Sequence, residues 1–184
     1  MDTKLKDLIE EKRSVILERW FDAIVETYPL DTTGFFKKQK DRFANPVGHA
    51  IVQGTEGILE VLISGKELNE DLPFLNDFIK VRAVQDFTPA KAMDFIFLLK
   101  KVVREVLEKE IRQNQIYDAL LSFESKIDDL ALFAFDIYVK CREQIYELKT
   151  DELKRMTYTL LKKANLMYEI PAEEFEVNDQ KCNT

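Results

Sequence analysis

"IYDALLSFESKIDDLALFAFDIYVKCREQIYEL", residues 116–148, holds neither glycine nor proline, and its apolar residues recur at spacings of three and four. Ile116, Leu120, Phe123, Ile127, Leu130, Ala134, Tyr138, Cys141, Ile145 and Leu148 share one stripe, which is the period of a helix and not of a strand. A helix of this span would be roughly 50 Å long at 1.5 Å per residue, more than a small domain covers by itself. The seam through Ile127, Leu130, Ala134, Tyr138, Cys141, Ile145 and Leu148 is therefore expected to meet a second copy of the chain. The alternative is a helix buried inside its own bundle. The four-residue steps from Leu130 to Ala134 to Tyr138 are a stutter that relaxes a supercoil locally.

The same absence of punctuation extends from Ala90 to Ile170, while all five glycines lie between Gly34 and Gly65. Strands need turns and turns draw on glycine and proline, so the pattern predicts an all-α protein. A first helix is expected from Thr3 to Tyr28, with Leu5, Leu8, Ile9, Ile16, Trp20, Ala23 and Ile24 inward and Pro29 as its stop. Asn45 as cap and Pro46 at the first helical position start another. On that helix Val47, Ala50, Ile51, Gly54, Ile58, Val61 and Leu62 form the apolar side. His49, the only histidine, falls with Gln53, Glu56 and Glu60 on the opposite, polar side and is expected at the surface. Gly54 and Gly57 cost about 1 kcal/mol each in a helix, which predicts close approach of a neighbouring backbone. A helix over Leu72 to Gln85 follows, then one capped by Thr88 with Pro89 at its first position. "FIFLL" at 95–99 is apolar all round and marks that helix as central. A last helix, from Asp151 to Asn165, could begin behind a Thr150 cap, and the tail after Pro171 reads as loose.

At 184 residues, with 46% hydrophobic and 33% charged residues, the chain is long enough for one buried core and unlike a disordered chain. No apolar run approaches the roughly 20 residues that a bilayer crossing needs. The charged N-terminus lacks the apolar core of a secretory signal, and Cys141 and Cys182 form no CxxC pair or disulfide framework, so a cytoplasmic location is expected. A net charge of −7 argues against nucleic-acid binding, and "KKQKDR" at 37–42 reads as a solvated connector. A haem ligand is not expected, because the segment from Leu68 to Ile111 has no histidine and His49 sits on a polar stripe. No phosphate-cradling loop, HExxH or nucleophile elbow is present, and Cys141 lies in an apolar stripe as a small hydrophobe. The expectation is a non-enzyme with no cofactor or metal.

Arg82 is the informative exception. It falls between Leu75, Phe78 and Ile79 on an apolar face, where an unpaired guanidinium would be heavily penalised. One reading pairs it with Asp86, four residues on; the other has Arg82 and Gln85, beside the start of the Pro89 helix, hold a small anion or a partner chain.

Read together, "WFDAIVETYP" (20–29), "KKQKDRFANPVG" (37–48), "VRAVQDFTPAKAMDFIFLLKKVVRE" (81–105) and "FDIYVKCREQIYELK" (135–149) resemble the N-terminal domain of RsbT co-antagonist, RsbRD-type proteins. The resemblance implies a globin-like helical bundle with a long C-terminal helix that binds no haem and dimerises. It also implies a sensory input module of bacterial stress signalling, with an unidentified signalling protein as partner. In such proteins a long helix leads into a STAS domain, for which this chain leaves no room before Thr184. Stand-alone members are expected beside anaerobic respiratory systems, including sulfite-reducing ones, which implies a redox or metabolic sensing role; the alternative expectation is a small-molecule binding protein for an anionic ligand, or an adaptor, associated with such a system. The expected organisation is a sensory domain over 1–150, a helical extension over 151–170 and a loose tail over 171–184.

Overall fold

The computed structural model describes residues 2–29, 34, 36, 44–66, 68, 72–85 and 87–164. Among these, seven α-helices follow one another and no strand occurs: α1 (Thr3–Glu11), α2 (Arg13–Val25), α3 (Pro46–Ser64), α4 (Pro73–Val84), α5 (Pro89–Val106), α6 (Glu108–Asn114) and α7 (Tyr117–Lys163). The protein is the expected all-α bundle with a long C-terminal helix. The chain divides into two units, Met1–Gln144 and Ile145–Thr184.

Local chemistry accounts for most of the boundaries. The Asp2 carboxylate accepts from the N–H groups of Lys4 and Leu5 and starts α1. Asn45 Oδ1 accepts from Gly48 N–H at 2.8 Å ahead of Pro46, and α3 stops at Gly65, whose φ of 70° is the left-handed cap that glycine adopts without cost. Thr88 and Pro89 start α5 as the sequence predicts. Gln115, at φ 54°, is the non-glycine residue with positive φ among those described, and it closes α6 by donating its N–H to Ile111 O.

The expected first helix is two. Lys12 adopts φ −99° and ψ 10° between α1 and α2, yet it donates to Leu8 O and accepts from Ile16 N–H, so the break is a bend and not a loop. Leu5, Ile9, Ile16, Trp20 and Ile24 stay fully buried across it. The opposite correction applies at the other end. Thr150 caps nothing, because α7 runs through it without interruption. With no proline or glycine to stop propagation, a threonine preceded by helix formers stays helical.

The core is organised by α2, α3, α4 and α5. Gly54 and Gly57 do permit a close approach, but of rings and not of backbone: a Cβ on Gly54 would lie 2.6 Å from the Phe78 ring, and one on Gly57 2.5 Å from the Phe74 ring. Phe78 in turn packs tilted against Phe95 of α5, with ring centroids 4.4 Å apart, and Trp20 Nε1 donates to Phe95 O at 2.7 Å. That bond satisfies an indole that is otherwise entirely buried. The first part of α7 closes the bundle: Phe123, Ile127, Leu130, Ala134 and Tyr138 are buried, Lys100 reaches Asp128 at 2.6 Å, and Arg142 donates to Ala83 O at 2.9 Å.

Candidate functional site

Arg82 lies where the sequence places it, on the inner side of α4, with no solvent exposure at all. Its Nη2 donates to Lys91 O at 2.9 Å and its Nε to Ala92 O at 3.3 Å, both carbonyls of the first turn of α5. Three rings enclose the guanidinium, with centroids 4.5 Å (Phe87), 5.1 Å (Tyr28) and 5.9 Å (Phe95) from Cζ. Cation–π attraction, worth roughly 2 kcal/mol or more in a desolvated setting, offsets part of the cost of burying the charge. Nη1 is buried with no hydrogen-bond partner among the described residues. Gln85 joins the same cluster, because its Oε1 accepts from the Tyr28 hydroxyl at 2.9 Å. Asp86, the sequence candidate for the ion pair, lies outside the described residues, as do the 37–42 connector and the tail after Pro171.

The seam residues separate into two groups. Ile127, Leu130, Ala134, Tyr138 and Cys141 are buried within the single chain, whereas Ile145 is half-buried and Leu148 is exposed. Burial pushes the Cys141 thiol up from its ordinary pKa, against the opposing pull of the Lys80 ammonium. Other large apolar side chains of α7 face solvent, among them Leu121, Leu132 and Phe135 and, further on, Tyr146, Leu153, Met156 and Leu160.

His49 is not simply a surface residue. It is half-buried, its Nε2 is enclosed without a hydrogen-bond partner among the described residues, and with Gln53, Phe74 and Asp77 it lines a groove of about 340 Å³ between α3 and α4. The reason is Gly57. His49, Gln53 and Gly57 are successive i, i+4 positions, so the ring of Phe74 seated on Gly57 draws α4 along the stripe that the sequence reading left to water.

A second polar group on an apolar stripe escaped sequence reasoning. Glu124 lies between Leu120, Ile127 and Ala131 on the buried side of α7, and its carboxylate takes a two-point grip from Arg104, Nε at 2.5 Å and Nη2 at 2.6 Å. The carboxylate raises the Arg104 guanidinium above its ordinary value. Beside this pair a cavity of about 320 Å³ opens where α5, α6 and α7 meet. The rule that singles out Arg82, a charge inside an i, i+4, i+7 apolar pattern, would have found Glu124 as well; its partner, 20 residues away on α5, carries no such signal.

Among the described residues no group of three or more histidine, cysteine, aspartate or glutamate side chains is placed to hold a metal ion, and no helix is long and apolar enough to cross a membrane. Comparison with known proteins gives a family-level match. The model of the RsbT co-antagonist protein rsbRD N-terminal domain matches residues 14–153. No curated protein and no solved structure matches the chain.

Proposed function

The chain belongs to the RsbRD N-terminal domain family, a family of stress-signalling regulatory domains, and from that premise we propose that it is a non-enzymatic sensory module of the cytoplasm, acting as a homodimer on a signalling protein. The observation that carries the reading is the family match itself, which runs from the start of α2 through the greater part of α7. Residues 1–150 would be the sensor and the helix beyond them its output. In this reading a stimulus alters packing around α5, and α7 carries the change. The contact between copies uses side chains that the chain leaves uncovered. In the second unit Tyr146, Leu153 and Leu160 are exposed at seven-residue intervals, the repeat of a coiled-coil seam, with Met156 three positions after Leu153. Ile127, Leu130, Ala134, Tyr138 and Cys141 are already covered by the first unit.

Light scattering tests the dimer: the wild-type chain should give twice 21.6 kDa, and Leu153→Glu should give the monomer with unchanged helix content. A monomeric wild type would remove the homodimer from the proposal. Deletion of the gene should alter transcription under stress, and Leu153→Glu should reproduce the deletion at normal protein abundance; an unaltered response would remove the signalling role.

One observation favours a second reading, a binding module for a small anion. The buried Nη1 of Arg82 has donors to spare, while Nε and Nη2 are committed to backbone carbonyls. The single tryptophan reports on the next turn of α5 through its bond to Phe95 O. Formate should then change Trp20 emission saturably, and formamide should not; the same titration curve in Arg82→Met would eliminate this reading.

A further inference from the structure

We infer that the cavity between α5, α6 and α7 is a binding site for a small apolar monocarboxylate, with Arg104 and Arg112 recognising the carboxylate and Ile111, Leu120 and Leu121 receiving the apolar body. The volume, about 320 Å³, is at the lower end of what small-molecule sites occupy. Ile111 and Leu120 are buried and form the floor, while Leu121 and Tyr117 stand at the mouth with more than half of their surface in water. An apolar body would cover that surface.

The guanidinium rim is built and not incidental. A surface arginine ordinarily pays side-chain entropy to bind anything. Arg104 is already fixed by the two short bonds to Glu124, a carboxylate with almost no exposure, so its geometry is set before a ligand arrives. Those bonds engage Nε and Nη2 and leave the N–H groups of Nη1 over, on a side chain that lines the cavity. Arg112, also in the wall, spends only Nη2 on Glu108, at 2.7 Å, and both of these side chains are largely solvated. Arg104 is matched by Glu124 and Arg112 by Glu108, so the corner carries no excess charge, and what it offers an anion is the guanidinium N–H groups that these two carboxylates leave over. The left-handed turn at Gln115, an uncommon conformation for a residue with a Cβ, is what folds Tyr117 and Leu121 back across Ile111 and gives the corner its concavity.

Glu124 makes the site more than a surface pocket. It belongs to the buried stripe of α7, so a carboxylate that draws on Arg104 pulls on the helix that the regulatory reading takes as the output. The biological use of the site rests on that reading; its existence does not.

The test is a calorimetric titration with 3-phenylpropanoate, using 3-phenylpropanamide as the neutral control of the same shape. The acid should bind one per chain and at least about tenfold more tightly than the amide, the difference that a charge-assisted hydrogen bond contributes. Leu121→Glu, a substitution at a side chain already more than half exposed, should weaken the acid by at least about tenfold through repulsion at the mouth, and Arg112→Ala should weaken it less. Absence of saturable heat, equal affinity for acid and amide, or an unchanged affinity in Leu121→Glu would each overturn the site. Binding as stated in a protein whose deletion leaves stress transcription unaltered would uphold the site and remove the sensory reading alone.

Discussion

Alanine in place of Gly54 and alanine in place of Gly57 should have opposite effects, although both replace a glycine in the middle of the same helix. Each substitution gains about 1 kcal/mol of helix propensity. At Gly54 the new methyl would meet the Phe78 ring at 2.6 Å and its Cβ at 3.0 Å, roughly 1 Å inside an ordinary carbon contact. Phe78 is fully buried with the Phe95 ring 4.4 Å behind it, so it has nowhere to retreat. Overpacking of this kind costs about 1–3 kcal/mol and, with three Phe78 atoms at or inside 3.0 Å, belongs at the upper end. The net for Gly54→Ala is a loss of about 1–2 kcal/mol, or a melting temperature lower by about 2–8 °C for a chain of this size. At Gly57 the obstacle is Phe74, which is half-buried and can swing outward, so propensity prevails and Gly57→Ala should lie between neutral and about 1 kcal/mol more stable. Urea unfolding followed by circular dichroism separates the two, provided the slope stays constant. Phe78→Leu in the Gly54→Ala background should recover at least about 0.5 kcal/mol beyond additivity. A Gly54→Ala protein as stable as the wild type would refute the view that Phe78 is held in place by the α5 side of the core.

Three further outcomes follow from the same geometry. Arg82→Met should be more stable than Arg82→Ala by at least about 1 kcal/mol, because methionine still fills the space between Tyr28, Phe87 and Phe95 while removing a costly buried charge; equal unfolding midpoints would show that the rings do not enclose the side chain. Ala134→Glu should lower the unfolding midpoint of the chain itself, since Ala134 is fully buried, whereas Leu153→Glu should change only the mass; a folded Ala134→Glu monomer of wild-type stability would mean that the first unit does not cover this face. The raised folded-state pKa of Cys141 gives a stability contribution that is complete below the unfolded thiol's range and disappears as pH climbs through the folded value, so thermal stability should fall above about pH 8.5 less steeply in Cys141→Ala than in the wild type. Parallel pH profiles for the two proteins would count against that desolvation.

Helix type and most helix starts were legible because they are local: Asn45 with Pro46 and Thr88 with Pro89 name their own positions, and a segment without glycine or proline can do little but continue. The bend at Lys12 was not legible, since no residue there breaks a helix. Nor was the half-burial of His49, which depends on where Phe74, 25 residues later in the chain, comes to rest. Arg82 could be recognised as anomalous from its stripe, but not its solution. A guanidinium on an apolar face suggests a carboxylate, and what the bundle supplies among the described residues is three rings and two backbone carbonyls. The seam on α7 shows the same limit in another form. Period reveals that a stripe will be covered, and only packing decides whether the cover is the chain itself, as for Ile127 through Cys141, or something else.

The end of α4 is where these separate strands of the molecule meet. Three of four consecutive positions serve three neighbours: Arg82 donates into the first turn of α5, the Ala83 carbonyl accepts from Arg142 of α7, and Gln85 accepts from Tyr28, just past α2. Carbonyls in the last turn of a helix lack intrahelical donors, so the Arg142 bond satisfies a group that α4 cannot satisfy alone. A displacement of Arg82 within its cage would therefore be felt at Ala83 and, through Arg142, on α7 two residues before Gln144, where the first unit ends. The Arg104–Glu124 grip reaches the same helix from α5, five turns earlier. Two polar links, each anchored by a charged side chain on an otherwise apolar face, thus tie the core to α7, the helix proposed as the output. A bundle needing stability alone would gain little from such groups, because well-packed apolar residues do as well or better at those positions. Their presence at both joints is what a regulatory domain requires: discrete partners that a ligand or a neighbour can take away.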